Sequence, residues 1–183
     1  MSQINIRLAT LDDAERLQQL MYRAFTPLRE VGIDWPSVNV DLEMIEKIIK
    51  YNAAYVLEKD GEVISTLSIR FPWEPKNPVS KYPFVWWFAT DPDYSGQGYG
   101  HQMMSYVENT ILRYTLKAPA VVLGTSARKM SWLKDVYERR GYETFFTLEE
   151  PSGDQGAMMV KVLIPECFNR SLLAPPPWFE GES

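Results

Sequence analysis

The chain has 183 residues, a length that suits one domain of ordinary size and buries roughly 70% of the surface exposed on unfolding, so a full core forms without staples. Cys167 is the only cysteine, which excludes an intrachain disulfide and leaves no Cys/His cluster with metal-ligand spacing; a reducing, cytoplasmic setting and no metal are expected. The formal net charge of -5, with no uncharged run near the ~20 residues that span a bilayer, argues against a nucleic-acid or membrane partner, while six tryptophans point to a lined pocket or a broad hydrophobic contact surface.

Residues 4–9 alternate apolar and polar, as a short strand does. Thr10 and Asp13 form a capping-box pattern, so a helix starts there, carrying Ala14, Leu17, Leu20, Met21, Ala24 and Phe25 at helical spacing until Pro27, read as its end. Residues 26–40 hold Pro27, Gly32, Pro36 and Asn39 without periodicity and are expected to be a loop. Leu42, Ile45, Ile48 and Ile49 mark a second amphipathic helix. Strands at 54–58 and 63–71 should pair antiparallel through Asp60-Gly61, a strong hairpin signal. Pro72, Pro75, Pro78 and Pro83 place a surface loop before Phe84–Thr90, an apolar run short enough to be a buried strand and ended by Asp91-Pro92. Trp86 and Trp87, adjacent on that strand, should face opposite sides.

A glycine turn at 95–100 leads into a long helix with Met103, Val107, Ile111 and Tyr114 on one face. A buried strand at 121–124 follows, then a short helix through Trp132, Val136 and Arg140 stopped by Gly141, then paired strands at 142–148 and 158–164. The order β α α β β β α β α β β is of the α/β (α+β) class: a single mixed, mostly antiparallel central sheet flanked by helices. One domain covers residues 1–165. A proline-rich tail, 166–183, contains Pro175-Pro176-Pro177-Trp178, which is expected to be stiff and extended.

The chemically informative segment runs from Phe88 to Gly100: a buried strand, then Gly96, Gly98 and Gly100, then a helix start. Glycines let backbone approach a ligand closely, and the first N–H groups of a helix have no intrahelical partner, so such a junction either cradles an anion or is an ordinary tight turn. A nucleoside-triphosphate loop would end in Gly-Lys-Ser/Thr, whereas Gly100 is followed by His101-Gln102. A dinucleotide fold would carry its glycines after the first strand, not past mid-chain behind a hairpin.

Over most of residues 4–163 the chain resembles the GNAT superfamily of N-acetyltransferases. The pyrophosphate signature Gln/Arg-x-x-Gly-x-Gly/Ala aligns with Ser95-Gly96-Gln97-Gly98-Tyr99-Gly100, with Ser95 standing where the family carries Gln or Arg. Val136-Tyr137-Glu138-Arg139-Arg140-Gly141-Tyr142 is similar to the family's second mark, and Met130 stands where an asparagine is often found. The resemblance implies acetyl-CoA as co-substrate, its pyrophosphate held by residues 95–100 and its pantetheine arm along Phe88, Ala89 and Thr90. It implies direct attack by an amine in a ternary complex, with Tyr137 as general acid toward the leaving sulfur; otherwise Tyr137 is a core tyrosine.

No general base is identifiable. Asp91, Glu30, Asp34 and Glu74 are the acids near the implied acceptor site, a water chain would serve as well, and His101 is not expected to act. Trp35 and Trp73 either wall an acceptor pocket, where cation–π attraction is worth ~0.5–2 kcal/mol, or cover the core. The acceptor is a small-molecule amine or a peptide, and a homodimer is an open option. The alternative is a non-catalytic acyl-CoA-binding module.

Overall fold

The computed structural model describes residues 1–74 and 78–176. They form two compact units, the first Met1–Ile69 with Trp86–Val107, the second Arg70–Val85 with Glu108–Ser183. Strands run in the order β1 (Ile4–Leu8), β2 (Ala53–Lys59), β3 (Glu62–Arg70), β4 (Phe84–Thr90) in the first and β4, β5 (Ala120–Ser126), β7 (Gln155–Val162), β6 (Glu143–Glu149) in the second, since β4 starts in one and ends in the other. The pairings β1/β2, β2/β3, β5/β7 and β6/β7 are antiparallel and β4/β5 is parallel, which is the mixed, mostly antiparallel sheet expected.

In the first unit, β1 (Ile4–Leu8) leads to α1 (Ala14–Ala24). Asp13 accepts the Thr10 backbone N–H at 2.8 Å, the reciprocal half of the capping box, and the Arg7 guanidinium at 2.8 and 2.9 Å. Ala14, Leu17, Leu20 and Met21 form the buried face of α1, which packs on α3 (Leu42–Tyr51). Residues 26–40 are not a loop. Pro27 opens α2 (Thr26–Glu30) and Pro36 opens a 3-10 turn over Pro36–Asn39, because a proline's missing N–H costs nothing in a first helical turn. Arg29 ties the two together, donating to the Val38 carbonyl at 2.7 Å and the Tyr22 carbonyl at 2.6 Å, with its guanidinium 3.9 Å over the Tyr22 ring. Strands β2 (Ala53–Lys59) and β3 (Glu62–Arg70) meet at Asp60 (φ 52°) and Gly61 (φ 85°), the paired left-handed residues of a type I′ hairpin turn.

In the second unit, β5 (Ala120–Ser126), α5 (Ser131–Arg139), β6 (Glu143–Glu149) and β7 (Gln155–Val162) match the expected elements within a few residues. Between β3 and β4, the buried Tyr82 hydroxyl donates to the Asn169 carbonyl and accepts the Asn169 N–H, at 3.0 and 2.9 Å. The expected proline-rich tail is thus docked where it begins; Pro177 and Trp178 lie outside the described residues.

The helix after the glycine turn begins as α4 (Tyr99–Ser105) and continues as a π-helix over Tyr106–Thr115. This changes its inward face. Met103, Val107 and Ile111 are buried as expected, but Tyr114 is 63% exposed and Leu112, five residues after Val107, is buried. The i→i+5 winding replaces the periodicity of an α-helix.

Candidate active site

In the first unit, the end of β4 leads through the glycine turn into α4 (Tyr99–Ser105). Gly98 has φ 87°, a left-handed conformation that a residue with a Cβ adopts only under strain, and its carbonyl accepts the Gln102 N–H at 3.0 Å. A Cβ placed on Gly96 or Gly98 would meet no other atom within 4 Å, so the turn faces open space. Gly100 differs. A Cβ there would stand 3.1 Å from Thr90 Oγ1 and 3.3 Å from the Phe88 ring, so its absence lets α4 seat directly on β4. Thr90 Oγ1 in turn lies 3.0 Å from Ser65 Oγ, which donates to the Ala89 carbonyl at 3.0 Å. Gly100 thus seats against Phe88 and Thr90, with Ala89 between them on β4 buried, and Ser95, Gly96, Gln97, Gly98 and Tyr99 lead into that contact along the chain. Ser95 Oγ is turned back to the Pro92 carbonyl, 2.9 Å away. The turn thus presents backbone rather than the Ser95 side chain to the space it faces.

Strand β4 also carries a feature that alternation does not anticipate. Trp87 has φ 52°, and the Trp86 and Trp87 rings lie 5.3 Å apart between centroids rather than on opposite faces. A left-handed tryptophan within a strand stores about 1–3 kcal/mol of strain. The two rings form one apolar block where the expectation had been at most one on a given side.

Asp91 closes β4 and is 1% exposed. Its carboxylate accepts Arg16 at 2.7 Å, Arg23 at 2.9 and 3.0 Å and the Asp93 N–H at 2.9 Å. Burial works against its charge, yet the amide and the two guanidiniums prevail and hold its pKa below the ordinary aspartate range. A carboxylate so engaged is a poor proton acceptor near neutrality. Glu74 is likewise ion-paired, with Arg70 at 2.8 Å, and is not a solvated surface charge. Sequence spacing holds no sign of the Arg16–Asp91 and Arg23–Asp91 pairs, because their partners lie 75 and 68 residues apart.

In the second unit, Tyr137 sits near the end of α5, half-buried, with its ring edge-on to Tyr142 at 5.7 Å between centroids. Burial pushes its phenol up to about 12, with Arg140 opposing and Glu108 adding to the rise. The hydroxyl is therefore protonated throughout the physiological range, the state a proton donor requires. Tyr142 donates to Glu108 at 2.7 Å. Met130 is buried against the core, its N–H donating to Ser126 Oγ at 3.0 Å.

The two tryptophans expected at an acceptor site have different settings. Trp35, in the first unit, is half-buried ahead of the Pro36 turn. Trp73, in the second, is 67% exposed and stacks on Phe71 with centroids 4.3 Å apart and planes 6° from parallel. The Glu74 N–H donates to the Phe71 carbonyl at 3.2 Å and Arg70 grips Glu74, so Trp73 rides on a fastened turn and does not cover the core.

This fold is that of the ribosomal-protein-S18-alanine N-acetyltransferase of Escherichia coli, which superposes with a TM-score of 0.67 at 13% identity, covering 94% of this chain and 100% of that one. The acetyltransferase (GNAT) domain model matches residues 50–144. The chain is 56% identical over 178 residues to S-alkylcysteine N-acetyltransferase of Bacillus subtilis (strain 168), covering 97% of this chain and 99% of that protein. It is 46% identical over 136 residues to S-(2-succino)cysteine N-acetyltransferase of the same organism, covering 74% and 82%. The chain belongs to the GNAT acetyltransferase family and is an acetyl-CoA-dependent N-acetyltransferase, an enzyme rather than a non-catalytic binding module. Among the described residues no helix is long and apolar enough to cross a membrane.

Proposed function

We propose that this enzyme acetylates the α-amine of S-substituted cysteines, S-alkylcysteines above all. The observation that carries this reading is the 56% identity to S-alkylcysteine N-acetyltransferase across nearly the whole of both chains. The second relative, which acts on S-(2-succino)cysteine, supports a common amino-acid portion with a variable arm on sulfur.

When bound, acetyl-CoA supplies a thioester carbonyl open to attack by an amine. The residues present fit its phosphate end: the Gly96 and Gly98 backbone faces open space and lies at the start of a helix. Residues 95–100 hold the pyrophosphate, with each N–H to a charged oxygen contributing about 1.5–3 kcal/mol, and Phe88, Ala89 and Thr90 align the arm through the strand backbone. As the new C–N bond forms and the C–S bond breaks, Tyr137 gives its phenolic proton to the departing sulfur. The proton lost by the amine returns to the phenolate through solvent, so the residue ends as it began.

The acceptor's α-ammonium must lose a proton before it attacks, and water is the base in this reading. This agrees with Asp91 and Glu74 being held in ion pairs. In the second unit, Trp73 receives the arm on the acceptor's sulfur. The exposed Trp73 ring suits a thioether, since sulfur–aromatic contact is worth about 0.3–1.5 kcal/mol. A cytoplasmic setting fits a chain whose one cysteine, Cys167, is exposed and forms no disulfide.

The test is release of free thiol from acetyl-CoA across an acceptor panel of S-methylcysteine, S-benzylcysteine, cysteine, alanine, lysine, spermidine and an alanyl peptide. Release confined to the S-substituted cysteines is expected. Preference for the peptide or the polyamine would overturn the reading.

A further inference from the structure

One carboxylate in the second unit is buried far more deeply than a surface ion pair requires. Glu108, on the π-helical stretch, is 1% exposed. Its Oε1 accepts Arg140 Nη2 at 2.8 Å and Lys161 Nζ at 2.9 Å, and its Oε2 accepts the Tyr142 hydroxyl at 2.7 Å. Four elements meet on this side chain: the π-helix, the end of α5, the residue before β6, and β7.

Taking a carboxylate out of water costs several kcal/mol, and well-packed apolar groups often serve stability equally well, so burial of this charge calls for another reason. The geometry offers one. Two of the three groups that Glu108 holds flank Tyr137. Arg140 lies one helical turn on, its N–H donating to the Tyr137 carbonyl at 3.0 Å. Tyr142 donates its N–H to the same carbonyl at 3.1 Å and presents its ring edge-on to Tyr137. Glu108 therefore fixes both the backbone turn that carries Tyr137 and the ring that Tyr137 leans on. The charged groups acting on the Tyr137 phenol are again Arg140 and Glu108.

We propose that Glu108 is a positioning residue for acyl transfer: by holding Arg140 and the Tyr142 hydroxyl together, it sets the orientation from which the Tyr137 phenol delivers its proton. This rests on Tyr137 being the general acid. Glu108 touches neither substrate and acts through its partners.

The experiment is a double-mutant cycle on the full chain with Glu108→Gln, Tyr137→Phe and the pair, measuring kcat with S-methylcysteine and the acetyl-CoA Kd. Glu108→Gln should lower kcat about 10- to 100-fold, the scale of a small misplacement, with the Kd held within about twofold. On the Tyr137→Phe background the same substitution should change kcat by less than about twofold. An equal loss on both backgrounds overturns the proposal, as does a folded Glu108→Gln protein with unaltered kcat. Should Glu108→Gln fail to fold, Tyr142→Phe, which keeps the ring and removes only its tie to Glu108, carries the same cycle with the same two outcomes.

An acceptor-independent readout separates this idea from the substrate assignment. With ring-13C tyrosine, the Tyr137 resonance, identified by its loss in Tyr137→Phe, should shift or split in Glu108→Gln; an unmoved resonance overturns the proposal. No turnover of S-methylcysteine together with a moved resonance indicts the substrate alone. An unchanged kcat in Tyr137→Phe removes the acid, and the positioning role with it.

Discussion

Arg16 Nη2 stands 2.7 Å from Oδ2 of Asp91, joining the first turn of α1 to the residue that ends β4. The contact anchors the strand end from which the glycine turn departs, and Arg23, two helical turns further along α1, completes the clamp. Asp91→Asn removes the charge and leaves two guanidiniums facing a neutral amide, at an expected loss of about 2–3 kcal/mol at pH 7. The Asp91 carboxylate titrates lower in the folded chain than the ordinary value near 3.9. Its stabilisation is thus whole at neutral pH and is lost as the pH falls below about 4 through the folded value. Urea unfolding should therefore show a gap between wild type and Asp91→Asn that narrows on acidification. A gap independent of pH would count against the clamp.

Gly98→Val tests the cradle. A Cβ at this position meets no neighbouring protein atom within 4 Å, so the expected loss arises from forcing a β-branched residue to φ 87° and from filling the space over the turn. Strain of about 1–3 kcal/mol, if relieved by moving the turn, weakens acetyl-CoA binding by about 5- to 150-fold. Calorimetric titration with acetyl-CoA and with pantetheine lacking phosphates gives the reading. Wild-type binding that demands the phosphates and fails in Gly98→Val is expected, while undiminished affinity in the variant would remove residues 95–100 from the cofactor site.

Tyr137→Phe keeps the ring that packs edge-on against Tyr142 and deletes only the hydroxyl that carries the proton. Turnover should fall about 10²- to 10⁴-fold with the acetyl-CoA Kd essentially unchanged. Equal turnover would return Tyr137 to the role of a packing residue.

Much of this architecture is legible in the sequence, for reasons that are local. The Phe84–Thr90 run is apolar at every position but the last, and Asp60-Gly61 has the one dipeptide pattern best suited to two left-handed residues, so strand and hairpin came out as expected. Elsewhere a local rule was right in chemistry and wrong in consequence. Pro27 does interrupt α1, but it also fits the first turn of a new helix, and α2 forms where a loop was expected. Tyr114 was placed inward by counting α-helical turns through a stretch wound as a π-helix. Trp86 and Trp87 were separated by strand alternation that the left-handed Trp87 breaks. The Asp91 clamp and the Glu108 cluster left no trace in the sequence at all, since each joins residues far apart in the chain, and spacing records only neighbours.

Trp73 offers the sharpest test of the acceptor assignment, because its ring is exposed and its removal should cost the fold little. Trp73→Ala deletes the upper ring of the Phe71 stack and leaves the Arg70–Glu74 pair to hold the turn. If the ring meets the thioether, the variant loses about 0.3–1.5 kcal/mol of binding to S-methylcysteine, a rise in KM of about 2- to 12-fold. Alanine, which presents the same amine and carboxylate without sulfur, gains nothing from that contact in wild type. Its kcat/KM, low as it is, should be insensitive to the substitution, so the ratio of S-methylcysteine to alanine efficiency should fall by the same factor. A parallel loss for both acceptors would instead mean that Trp73 shapes the amino-acid end of the site, and the sulfur preference would have to reside elsewhere.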